Sequence, residues 1–280
     1  MNKLMMAVAV GSLTVSASAV ELSLKSEDSS VTWNFSALNW IPFGGGEFQK
    51  YSDCAVAHIG PDFTGSTVTI GDYVGPTELR INNTQSMTLA NENVDGHGLS
   101  GKLKHFTKYG TGDLTLNFLD WRNYQSCDWH VYGGCLFLGR NASYGDAQYR
   151  FCSNTAVGDV VLHVHDGAKV WPWSANFISS ASDSTEDAQP SMVVYTNGTL
   201  VTGWDSTTSY TYMFFTLKDL ILDGGTLDLS RRSAWSSGTF KLTRKFAFKG
   251  KTPYTLKILK VGKHDHYCAA PAAAPVAIAA

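Results

Sequence analysis

The stretch Leu103–Phe118, LKHFTKYGTGDLTLNF, restricts the fold more than any other part of the chain. Leu114, Leu116 and Phe118 alternate with Thr115 and Asn117, the period-two pattern of a strand with one buried face. Before it, Tyr109-Gly110-Thr111-Gly112-Asp113 is a tight turn, and Gly110 and Gly112 let the backbone reverse there without strain. The pattern returns at Leu220–Leu229, LILDGGTLDL, around Gly224-Gly225, and more weakly at Tyr195–Val201, YTNGTLV. A unit of turn, glycine and alternating strand that recurs along one chain predicts a solenoid, in which each rung covers the open face of the next.

The rest of the chain agrees with that class. No segment after the N-terminal leader shows sustained helical periodicity. Short strands are predicted at Ala55–Ile59, Ser66–Ile70, Glu78–Asn82, Ser86–Leu89, Gly98–Phe106, Val160–Val164, Ala168–Trp173, Ser191–Val201, Thr211–Leu217, Asp219–Leu222, Thr226–Leu229, Thr239–Lys245, Phe246–Lys249 and Tyr254–Leu259. Turn residues such as Gly60-Pro61-Asp62, Gly71-Asp72 and Asn82-Asn83 separate them. A spacing of about 8–12 residues marks an all-β sandwich, barrel or solenoid. Trp33, Phe35 and Trp40 are placed to cap the first rung, since terminal rungs must hide an apolar end.

Residues 1–19 have the layout of a secretory signal peptide. Lys3 supplies the charge, Leu4–Val10 begins the apolar region, and Ala17-Ser18-Ala19 carries small residues for cleavage. No other apolar run reaches the roughly 18 residues of a membrane-crossing helix. Charged residues are 16% of the chain and nearly balanced, with a net charge of −2, which argues against a nucleic-acid partner. Residues 20–265 form the predicted β domain. Residues 266–280, HYCAAPAAAPVAIAA, read as an Ala/Pro-rich tail.

An exported chain can form disulfides. Five cysteines are present, Cys54, Cys127, Cys135, Cys152 and Cys268, and the odd count leaves at least one outside any intramolecular pair. Cys127 and Cys135 are close enough to close a short loop. The other reading is that several are small buried apolar residues.

The segment Gly65–Phe118 resembles the autotransporter-associated β-strand repeat of bacterial passenger domains. Thr67–Ile70, Leu79–Asn83 and Met87–Leu89 occupy its strand positions. Phe106–Leu116 is similar to its closing "LTK-x-G-x-G-x-L-x-L" signature, and Trp33 with Asn39-Trp40 resembles the opening that precedes such repeats. The resemblance implies a right-handed parallel β-helix that is exported and displayed at a Gram-negative surface. It transfers architecture, not chemistry. The family's usual next rung is replaced by Asp120-Trp121-Arg122-Asn123-Tyr124, and no translocator barrel is recognisable, so self-display by this chain alone is not expected.

Three constellations carry possible chemistry. His163-Val164-His165-Asp166 puts two imidazoles on one face of a strand, and His264-Asp265-His266 repeats the spacing. Neither has a spaced third ligand, so both read as polar positions alternating with apolar ones, and no metal is expected. Asp219, Asp223 and Asp228, with Arg231 and Arg232 beyond, are the carboxylates a polysaccharide lyase or hydrolase would need. Asp223 precedes a Gly-Gly turn, however, where Asp belongs for turn chemistry. Eight tryptophans are many for this length. Trp171-Pro172-Trp173 offers two rings on one face on which a sugar can stack, although Trp is more often buried.

The sequence therefore predicts an all-β chain, a right-handed parallel β-helix with a β-sandwich as the alternative fold. It predicts a non-enzymatic secreted or outer-surface module of a Gram-negative bacterium, acting in adhesion or surface display. Glycans or cell-surface proteins are the expected partners, and no cofactor is expected. Carbohydrate binding through Trp171 and Trp173 is the alternative function, and a polysaccharide lyase or hydrolase ranks third.

Overall fold

A computed structural model describes residues 19–91, 98–100, 102–117, 127–138, 160–172, 191–201, 214–228, 239–248, 254–261 and 264–271. These residues form strands, turns and connections and contain no helix.

Two long sheets and one short one account for the strands. The first sheet contains β1 (Glu21–Ser26), β4 (Val56–Phe63), β7 (Glu78–Asn82), β10 (His105–Tyr109), β12 (Cys127–Val131), β14 (Val160–Val164), β16 (Ser191–Tyr195), β18 (Phe214–Asp223) and β20 (Thr239–Phe248), each parallel to the next. The second contains β2 (Ser30–Trp33), β5 (Thr67–Ile70), β8 (Met87–Asn91), β11 (Leu114–Asn117), β13 (Cys135–Leu138), β15 (Lys169–Pro172), β17 (Thr199–Val201) and β19 (Thr226–Asp228), again parallel. A short third sheet pairs β6 (Tyr73–Val74) with β9 (Gly98–Leu99). Strands alternate between the two long sheets along the chain, and every turn of the chain adds one strand to each. This is a parallel β-solenoid. The sandwich alternative fails because sandwich sheets are built from antiparallel neighbours.

The register stacks like positions into ladders. One interior ladder of the first sheet runs Leu22, Ala57, Leu79, Phe106, Trp129, Leu162, Met192 and Leu220. In the second sheet, Met87, Leu114, Leu136, Val170, Leu200 and Leu227 stack in the same way. All are buried, and they belong to one continuous core. Burying each large aliphatic side chain contributes about 1.5–3 kcal/mol, so core stability grows with each rung.

Each long sheet carries antiparallel pairing at one of its ends. β3 (Trp40–Pro42) lies on the outer edge of β1. Below it, Trp33, Trp40 and Tyr51 pack with ring centroids 5.0–5.3 Å apart, all buried. The indole cap predicted from sequence is present, with Tyr51 in the place expected for Phe35. Phe35 is 39% exposed and rests on the cap from outside, 5.9 Å from Tyr51. At the other end, β22 (His264–Pro271) pairs antiparallel with β19 and with β21 (Tyr254–Val261). Residues 266–271 of the segment read as a tail lie in β22. An Ala-rich backbone has the donors and acceptors to cover an open sheet edge, whatever its side chains lack.

Other boundaries also shift. Gly98–Phe106 is two strands in different sheets, β9 and β10, because the chain turns a corner between them. Ser191–Val201 likewise divides into β16 and β17 around Asn197, whose φ is +59°. Thr211–Leu217 and Asp219–Leu222 join in the single strand β18, through a register irregularity between Leu217 and Asp219. Thr239–Lys245 and Phe246–Lys249 join in the same way as β20. Cys127 lies in the core at the start of β12, and Cys135 starts β13 in the other sheet. The leader residues 1–18, the Asp120–Tyr124 departure, Cys152, Arg231 and Arg232 lie outside the described residues.

Candidate functional site

The corner after β10 is built around a buried lysine. Alternation puts Phe106 and Lys108 on the interior face of β10, and register places Lys108 between Ile81 and Val131 in an otherwise aliphatic ladder. Its side chain is 0% exposed. Nζ donates to the carbonyls of Tyr109 (3.1 Å), Gly110 (3.2 Å) and Gly133 (2.8 Å). A buried ammonium needs such partners, and here they come from the corners of two successive rungs. Burial pushes the Lys108 ammonium down to about 8, against a smaller opposing pull from Asp113. Gly110 has φ +75°, and a Cβ there would collide with the Asn83 carbonyl of the rung before.

On the outside of these corners the first sheet carries a stack of rings. Tyr109 follows Lys108. Tyr132 follows Val131 and donates its backbone N–H to the Lys108 carbonyl at 2.9 Å. His165 follows Val164 and donates in the same way to Val131 at 2.9 Å. Tyr195 follows Val194. The register therefore lines up Tyr109, Tyr132, His165 and Tyr195 along the solenoid. Successive centroids are 5.4, 4.1 and 4.8 Å apart, with interplanar angles of 6°, 12° and 10°. These spacings follow from the strand separation of about 4.8 Å.

A second, shorter column stands beside it. His130 is the register partner of both Thr107 and His163. The His130 and His163 rings stack at 4.5 Å and 7°. Diagonal contacts join the columns: His130 Nδ1 to His165 Nε2 at 2.9 Å, and His163 Nδ1 to the Tyr195 hydroxyl at 3.0 Å. Burial lowers all three imidazoles, His163 to about 4, and the neighbouring imidazoles push His163 and His165 the same way. Burial and ring-to-ring repulsion therefore both favour the uncharged form of these imidazoles. Tyr109 and Tyr132 are 42% and 44% exposed.

The same face is charged toward the N-terminal end. His58 Nε2 meets Glu21 Oε2 at 2.9 Å, and Phe43 stacks on His58 at 4.0 Å. Arg80 makes a two-pronged contact with Glu78, at 2.7 and 2.8 Å. Burial draws the His58 imidazole down against the pull of Glu21.

The residues singled out from sequence fall elsewhere, except for His163 and His165. Trp171 is on β15 in the second sheet, half-buried, with its ring 5.5 Å from Phe137 at 37°. Trp173 lies outside the described residues. Asp219 and Asp223 are four residues apart on β18, roughly 13 Å along an extended strand. Asp228 is on β19 in the other sheet. Asp223 directly precedes Gly224, whose φ is +84°, as turn chemistry requires. The structure does not bring the three carboxylates together. His130, Tyr109, Tyr132 and Tyr195 were missed, because each is unremarkable until register places it beside the others. The available signal was the spacing His130-x-Tyr132, which matches His163-x-His165 and puts both members of each pair on one strand face.

Among the described residues no group of three or more His, Cys, Asp or Glu is arranged to hold a metal ion, and no helix is long and apolar enough to cross a membrane. Comparison with protein-family models, curated proteins and solved structures finds no match to the chain.

Proposed function

We propose that this chain is an exported, non-enzymatic β-solenoid of a bacterial surface or secreted protein, and that it acts in adhesion through the outer face of its first sheet. The observation that carries the reading is the four-ring column Tyr109, Tyr132, His165 and Tyr195. Ring faces in this column are occupied by each other, so the solvent side presents ring edges. The exposed members, Tyr109 and Tyr132, bring hydroxyls to that side one rung apart, about 4.8 Å, while His165 Nε2 and the Tyr195 hydroxyl are engaged by His130 and His163. Such a surface hydrogen-bonds to an extended polar chain lying along the solenoid, and a glycan has the required density of hydroxyls. The leader-like N-terminus supports export, and the resemblance to passenger-domain repeats supports display.

The test is a glycan array probed with the folded chain from residue 20 onward. Retention of a defined set of glycans supports the reading, and the absence of any retained glycan removes it.

A further inference from the structure

Two imidazoles from consecutive rungs bring ring nitrogens together on the first sheet. His130 Nδ1 and His165 Nε2 are 2.9 Å apart. Both rings are held from the side. His163 stacks on His130 at 4.5 Å. Tyr132 and Tyr195 bracket His165 at 4.1 and 4.8 Å. The Tyr195 hydroxyl also engages His163 Nδ1 at 3.0 Å, which fixes the ring that supports His130. The strands beneath, β12 and β14, are locked in register from Cys127 opposite Val160 to Val131 opposite Val164. Packing therefore keeps the two ring nitrogens beside one another and limits how far either ring can swing away.

We propose that His130 and His165 chelate one divalent transition-metal ion of the zinc, nickel or copper class. Imidazole nitrogen suits these borderline ions. Two imidazole nitrogens at about 2.0–2.1 Å from a tetrahedral ion stand roughly 3.3 Å apart. The observed pair, now end to end along the N–N line, reaches that geometry by opening a few tenths of an ångström and turning each ring so that its lone pair points at the ion. In the free protein one of the two nitrogens donates a hydrogen bond to the other. On binding, the donating ring moves its proton to its other nitrogen, so both converging lone pairs face the ion and no net proton is released. No third His, Cys, Asp or Glu among the described residues completes the set, so water fills the remaining positions and the ion stays open to an outside ligand.

The experiment uses the whole untagged chain, with calorimetric titration by Zn²⁺ and electron paramagnetic resonance of the Cu²⁺ form. His130→Phe and His165→Phe keep a ring in each stack while removing the nitrogens. The expected result is one bound ion per chain, a Cu²⁺ spectrum with two imidazole nitrogens, and affinity reduced about tenfold or more in either variant. The double variant His264→Ala/His266→Ala removes the other His-x-His pair and is expected to bind as the wild type does. Wild-type affinity in both Phe variants would overturn the proposal. So would absence of ion binding by the wild type, or loss of binding confined to the His264/His266 variant. Circular dichroism of each variant confirms that the ring-preserving substitutions leave the fold in place.

Discussion

The Lys108 ammonium donates to the Gly133 carbonyl at 2.8 Å, joining one corner of the solenoid to the next. The carbonyls of Tyr109 and Gly110 complete its partners. This cation stands in a ladder of Leu24, Ile59, Ile81, Val131 and Val164, directly beneath the backbone that carries Tyr109 and Tyr132. The corner that presents the rings outside is thus fixed from inside.

The first prediction concerns pH. Burial holds the folded Lys108 near 8, whereas an unfolded lysine titrates near 10.4. Between those values the unfolded chain binds one more proton than the native chain, so this group makes stability rise with pH. The gain is on the order of 1–3 kcal/mol across that window. Below about pH 8 both states are charged, and the cost of burying the charge is fully present. Urea unfolding at a series of pH values from 7.5 to 10.5, as assay settings, checks it. Lys108→Met is expected to lose this part of the slope, and equal slopes in both proteins would contradict the account.

Gly110→Ala is expected to be costly. The backbone sits at φ +75°, which alone is worth about 1–3 kcal/mol for a residue with a Cβ. The added methyl would also strike the Asn83 carbonyl, so the rungs must separate locally. Gly60→Ala is the control, because nothing lies within 4 Å of the position its Cβ would take, and it is expected to stay within about 0.5 kcal/mol. Denaturant midpoints of the two variants give the comparison.

Trp40→Ala is expected to destabilise by about 3–5 kcal/mol. Its ring is fully buried between Trp33 and Tyr51 and closes the apolar end of the solenoid. Phe35→Ala removes a 39% exposed ring outside that cluster and is expected to cost much less. Thermal unfolding monitored by tryptophan fluorescence reads the ordering, and equal losses would show that the end is not sealed by the buried cluster.

The extent of legibility in the sequence follows from what alternation encodes. Period two marks which residues of a strand share a face, and it located Glu78–Asn82 and Val160–Val164 to the residue. It does not encode which strand lies alongside. In a parallel solenoid the partner is a full turn away, and the intervening corners differ in length, so His130 beside His163 could not be read from spacing. Lys108 was hidden for a different reason. Its charge marks it as a surface residue, and only the carbonyls of Tyr109, Gly110 and Gly133, which no sequence pattern names, make it an interior one. Trp171 drew attention as a stacking platform, and its neighbour Phe137 on the adjacent strand, 5.5 Å away, is again a partner that spacing along one chain does not name.

The central claim is that a partner docks on the first sheet, and it is tested by measuring glycan-array binding of two variants side by side. Tyr109→Ala/Tyr132→Ala removes the exposed half of the ring column, and Trp171→Ala removes the indole on the second sheet. The account predicts that the double tyrosine variant, folded as judged by circular dichroism, loses the glycans retained by the wild type, while Trp171→Ala keeps them. Retention by the tyrosine variant with loss in Trp171→Ala would contradict it and move the binding face to the other sheet.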